Sequence, residues 1–119
     1  MANTFKVVTF AAEPASAGTP YVMYTVASST TTVVLGLVLS NINTSAVTAE
    51  VELVSTTSSR GGVNNVANGT SFLVKDVNIP TGSSLEILSG GKVVLEAGDK
   101  IQIDCSVADK LSGTLSIME

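Results

Sequence analysis

The 119-residue sequence contains no histidine and no tryptophan, and it holds a single cysteine. Without histidine it lacks the commonest general base and the commonest metal ligand. Ser-His-Asp and Cys-His nucleophilic arrangements are therefore excluded within the chain, and a zinc site would lack its usual donors. The lone Cys105 excludes an internal disulfide. It falls on the apolar side of an alternating run, which reads as a small core residue; a bridge between chains is the sharper alternative. Charged residues make up 13% of the chain and the net charge is −4. The six cations (Lys6, Arg60, Lys75, Lys92, Lys100 and Lys110) are scattered rather than clustered. Phosphate-backbone binding needs a basic cluster, so no nucleic-acid partner is expected. An acidic surface also disfavours anionic membranes. The longest apolar run, Val33 to Leu39, is too short to span a bilayer. The opening Met-Ala-Asn-Thr-Phe-Lys shows no basic segment followed by an apolar one, so the expectation is assembly in a cytoplasm.

Aliphatic and β-branched residues in short alternating runs dominate what remains. Aromatics are only 4% of the chain, so the core must be built from Val, Leu and Ile. Ser83 to Cys105 shows the pattern most densely. Leu85 and Ile87 alternate with Ser84 and Glu86, and Ile101, Ile103 and Cys105 alternate with Gln102 and Asp104. Period two is the pattern of half-buried antiparallel strands. The same reading predicts strands over Thr4–Phe10, Tyr21–Ala27, Thr32–Asn41, Val47–Val54, Ser71–Ile79, Leu85–Leu88, Lys92–Glu96, Lys100–Val107 and Leu111–Met118. Thr32–Asn41 is apolar on both faces and reads as a central strand covered on each side, with Gly36 marking a bulge or a close contact. In Val47–Val54, Val47, Ala49, Val51 and Leu53 point in, while Glu50 and Glu52 point to water. Ser89-Gly90-Gly91 reads as a tight hairpin turn. The fold class is all-β: a two-sheet antiparallel sandwich of about eight to nine short strands with jelly-roll or Greek-key connections. One domain spans 1–119, with an N-terminal strand or arm over 1–20 and a long polar loop over 55–70.

Candidate chemistry is sparse. No phosphate loop, dinucleotide fingerprint or calcium loop occurs, and no cofactor, metal site or catalytic residue is assigned. Glu50 and Glu52 would lie roughly 7 Å apart on one strand face, a carboxylate pair of the kind that hydrolyses glycosides, but their face reads as solvated. Glu96 and Asp99 flank a turn beside Lys100, where a local ion pair or a turn-capping Asp accounts for them. Asn43-Thr44-Ser45 and Asn68-Gly69-Thr70 match the glycosylation triplet and read as turns. Interface candidates are more numerous. Tyr21 and Tyr24 point to opposite faces of their strand, one into the core and one free to anchor a contact. In the polar loop, Arg60, Gly61, Gly62, Asn64, Asn65 and Asn68 are the residues that would meet a partner, since compact domains seldom carry so long a loop without use.

Several segments carry a family resemblance: Tyr24-Thr25-Val26, Val34-Leu35-Gly36-Leu37-Val38-Leu39-Ser40-Asn41, Leu73 to Glu86 (L-V-K-D-V-N-I-P-T-G-S-S-L-E), Gly91 to Ile101 (G-K-V-V-L-E-A-G-D-K-I) and the closing Leu115-Ser116-Ile117-Met118-Glu119. Over roughly residues 20–119 the chain resembles the small β-sandwich virion structural proteins of tailed bacteriophages, of the marine and cyanobacterial phage type. The resemblance implies a non-catalytic particle component, assembled in a host cytoplasm and carried on the virion. Its leading role is capsid decoration or cement, with neck, tail or baseplate as other positions. The implied partners are other virion proteins, such as a major capsid protein, and further copies of the chain in a homo-oligomer, of which a trimer is one form. A receptor-binding adhesion module is the other functional class; the scarcity of aromatics counts against it.

Overall fold

The computed structural model describes residues 3–55, 69–88 and 91–119. The strands are β1 (Phe5–Glu13), β2 (Tyr21–Thr25), β3 (Thr32–Asn41), β4 (Val47–Val54), β5 (Thr70–Ile79), β6 (Ser84–Ile87), β7 (Val93–Leu95), β8 (Lys100–Cys105) and β9 (Leu111–Met118). They form two antiparallel sheets. The first runs β1-β9-β3-β6, with β7 also paired to β3; the second runs β2-β8-β4-β5. Counting β6 and β7 as one interrupted strand gives the orders 1-8-3-6 and 2-7-4-5, an eight-stranded jelly roll. The all-β sandwich expected from period-two alternation is thus the fold.

The interior is aliphatic. Val34, Leu37, Leu39, Leu111, Leu115 and Ile117 from the first sheet meet Val47, Ala49, Val51, Ile101 and Ile103 from the second, all essentially without solvent contact. Alternation is clean in β8 and β9, where every second residue is buried. Cys105 is part of this core, so its thiol is not presented for a bridge to another chain.

Four departures from simple alternation have local causes. First, β3 is central but is not covered on both sides by the described chain. Its inward residues are Thr32 and Val34, then Leu37 and Leu39, and the step of three coincides with a register shift against β9 between Val34 and Gly36. This bulge joins two alternating phases of the inward face, while Val33 and Val38 lie on the outward face, so the run is apolar on both faces with one of them left uncovered by the described chain. A Cβ at Gly36 would meet nothing within 4 Å, so the glycine marks the bulge and not a close contact. Second, β6 and β7 do not form a hairpin. Both run antiparallel to β3, with Ile87 opposite Leu37 and Val93 opposite Val34. Two strands antiparallel to the same neighbour run in the same direction, so β6 and β7 are not the two arms of a hairpin; Ser89 and Gly90 of the expected turn lie outside the described residues.

Third, β2 carries a bulge at Met23: Tyr21 and Val22 oppose Ile103 and Gln102, while Tyr24 and Thr25 oppose Ile101 and Lys100. Fourth, Glu52 is not in water. It is 9% exposed and stands between Gln102 and Phe72 in register, where its carboxylate accepts a 2.7 Å hydrogen bond from Gln102 Nε2.

The sheets are also tied by polar pegs. Asn41 is buried at the end of β3. Its Nδ2 donates to the carbonyls of Ser45 and Ile79 at 3.0 and 2.9 Å, and its Oδ1 accepts from Asn43 N at 2.7 Å. Asp99 is a turn cap: its buried carboxylate accepts from Glu96 N at 3.0 Å. In β9, Gly113 lies opposite both Phe10 and Leu39. A Cβ there would fall 2.4 Å from the Phe10 ring and 3.2 Å from Leu39, so the ring occupies the space that a side chain would take. Replacing Gly113 by Ala should therefore lower stability by about 1–3 kcal/mol through overpacking. The check is a denaturant midpoint. A Phe10→Leu second substitution should recover part of the loss, as expected for residues in contact.

Candidate functional site

Three surface features combine functional side chains. The first is on the outer face of the second sheet. There Glu50, Asp76 and Asp104 line a shallow cavity of about 350 Å³ together with Thr48, Gly18 and Ser106. β4 and β8 supply the first and third carboxylates as register partners, Glu50 opposite Asp104. Lys75 Nζ lies 3.3 Å from Glu50 Oε1 and 3.9 Å from Asp76. Burial raises the Glu50 carboxyl above its ordinary value, with Lys75 acting in the opposite direction. Asp104 Oδ1 accepts from Gly18 N at 3.1 Å and from Cys105 N at 2.8 Å, so it anchors the 14–20 segment. Among the described residues no group of three His, Cys, Asp or Glu is arranged to hold a metal ion. The arrangement can position a loop and neutralise a lysine, and the Ser106 hydroxyl on its lining accepts from Thr48 N at 3.0 Å.

The second feature is a latch at one end of the sandwich. Glu119 accepts from Lys6 Nζ at 2.7 Å and from the Tyr24 hydroxyl, which also lies 3.0 Å from Thr32 Oγ1. Its backbone exchanges two 2.8 Å hydrogen bonds with Thr4. One carboxylate, 17% exposed, thus joins β1 and β2 to the end of β9, and β3 is reached through the Tyr24 hydroxyl. The Lys6 ammonium, then the Tyr24 hydroxyl, hold the Glu119 carboxyl below its ordinary range. Burial, then the neighbouring carboxylate, push the Tyr24 phenol up.

The third feature is the outer face of the first sheet. Register places Phe5, Met118, Val33 and Val94 in one row across β1, β9, β3 and β7. Phe5 is 72% exposed, Val94 57%, and Val7, on the same face, 64%. Monomers rarely leave such a stripe uncovered without use.

The residues singled out from sequence are distributed unevenly over these features. The Met23 bulge turns Tyr21 and Tyr24 to the same side, toward the interior, instead of to opposite faces. Tyr21 packs edge-on against Phe10 with centroids 5.3 Å apart, and Tyr24 is held in the latch. Arg60, Gly61, Gly62, Asn64, Asn65 and Asn68 lie outside the described residues; the stem of their loop closes where Ser55 N donates to Gly69 O at 2.9 Å. Glu50 and Glu52 share a face, but each is engaged, one by Lys75 and the other by Gln102. Sequence reasoning missed Glu119 and Lys6, since residues 113 positions apart carry no local signal. It also missed the apolar row, whose members come from four strands.

The latch makes a pH prediction. A depressed folded value means that Glu119 contributes stability above the ordinary carboxylate range and loses it as pH falls through the lower folded value. The gap in thermal midpoint between the wild type and Glu119→Gln should be widest near neutrality and should close on acidification. Melting curves across the acid range read this directly.

No family model and no curated protein matches the sequence. One solved structure is similar at 19% sequence identity, covering 98% of this chain and 84% of its own, with a TM-score of 0.47; it is described under the heading "Bacillus endospore appendages form a novel family of disulfide-linked pili". That protein is an appendage component and not a phage protein.

Proposed function

We propose that this chain is a non-catalytic structural protein of a phage virion that works as a capsid decoration or cement subunit. The observation that carries the reading is the exposed apolar row on the outer face of the first sheet, led by Phe5, Val7 and Val94. Surface of this kind is suited to contact with another protein, and the absence of histidine removes the usual means of acid–base chemistry. The carboxylates that sequence offers as candidates are engaged in structural pairs. In a particle, contacts that are weak singly become firm when many copies act together. The phage assignment itself rests on the sequence resemblance over residues 20–119.

The test is to purify particles from the source of this sequence on a density gradient and quantify their proteins by mass spectrometry. The reading expects this chain in many copies per particle, and release of the chain to lower the temperature at which particles open. Absence of the chain from purified particles contradicts it.

A further inference from the structure

An edge strand exposes unpaired backbone donors and acceptors, and folded proteins normally blunt such edges. Three of the edges here are blunted. β2 is five residues long, follows Pro20 and carries the Met23 bulge. β5 has two register irregularities, Asp76 at positive φ, and Lys75 over the Phe72 ring at 4.6 Å. β6 and β7 have four and three residues. From Phe5 to Phe10 β1 has one such device, Lys6, whose ammonium is drawn to Glu119; the strand's register with β9 is unbroken there, and it holds no proline and no glycine.

The direction of its free groups follows from the ladder. Thr4 and Glu119 exchange both backbone bonds. In an antiparallel pair, bonded and non-bonded residues alternate, so Lys6, Val8 and Phe10 bond to β9. Phe5, Val7 and Thr9 then turn their N–H and C=O groups to the open edge, and no described residue bonds them there. Those same residues carry the exposed Phe5 and Val7 side chains.

We infer that the open edge of β1 is a self-association site, where β1 of a second copy pairs antiparallel about a two-fold axis at Val7, with Val7 opposite Val7 and Phe5 opposite Thr9. The inference deepens the structural reading above and rests on it. The register follows from charge and shape. Opposed residues must share a face, so the axis passes through a residue. An axis at Lys6 sets two ammonium groups face to face, which is unfavourable. An axis at Val8 sets Phe5 against Ala11, past Phe10, where the β1 register breaks. An axis at Val7 avoids both and completes about six main-chain bonds. Seven residues a side span about 23 Å, and with Phe5 and Val7 the contact buries on the order of 800 Å², the size of a weak and reversible one. The partner is thus another copy at high local concentration.

Sedimentation of the full chain from micromolar to about 1 mM should show a monomer–dimer equilibrium. Val7→Pro removes an N–H that faces the open edge and none from the β9 ladder, so it should abolish association while leaving the circular dichroism spectrum and thermal midpoint close to wild type. Val7→Cys should form a covalent dimer in a glutathione redox buffer, because opposed bonded residues lie about 5.5 Å apart; Val94→Cys, exposed on the same face but on β7 and away from the β1 edge, should form far less. A wild type that stays monomeric at every concentration overturns the inference. So does association that Val7→Pro leaves unchanged, although in that case assembly through another surface still stands and the particle test decides the function. If Val7→Pro fails to fold, the cysteine pair carries the test: equal crosslinking at positions 7 and 94 overturns the inference.

Discussion

Everything in this molecule depends on the antiparallel pairing of β3 with β9. β3 is the hub of the first sheet, bonded to β9 along one edge and to β6 and β7 along the other. β9 in turn carries β1. The inner faces of the two central strands supply Val34, Leu37, Leu39, Leu111, Leu115 and Ile117, which close over the second sheet. A slip of one residue in this pairing would turn these side chains to solvent. The Leu35–Gly36 bulge absorbs the one phase change that the sequence imposes.

That pairing also decides what the protein can offer to others. Beside the exposed Phe72 and Val22, the second sheet presents carboxylates, a lysine and a glutamine on its outside, most of these polar groups paired with each other. The first sheet presents a row of apolar side chains and, at β1, an open backbone edge. The latch at Glu119 stands next to that edge, holding Thr4 by its backbone and Lys6 by its side chain. The strand that carries the exposed surface is thereby kept extended and in register, a form of preorganisation that lowers the ordering cost of any contact made there.

Much of the fold was legible because alternation is a local property. Ile101, Ile103 and Cys105, or Leu111, Leu115 and Ile117, declare an inner face within a few residues. What could not be read locally was wherever a neighbour changes the phase. Tyr21 and Tyr24 share a side because β8 opposes an extra residue at Met23. Glu52 is covered because Gln102 and Phe72 flank it from strands distant in sequence. Ser89-Gly90-Gly91 carries the chemistry of a hairpin turn, yet β6 and β7 both pair with β3. The interface candidates show the same limit. The polar loop drew attention by its composition, whereas the apolar row exists only once four strands are set side by side.

No described residue pairs with the outer edge of β1, and the self-association proposed above closes that edge with another copy. Residue-resolved amide hydrogen exchange, followed by NMR across protein concentration, tests it most directly. In dilute solution the amides of Lys6, Val8 and Phe10 should exchange slowly and those of Phe5, Val7 and Thr9 quickly, and the second set should slow as concentration rises. If the Phe5, Val7 and Thr9 amides are protected at the lowest concentration, or remain fast at every concentration, the claim is contradicted.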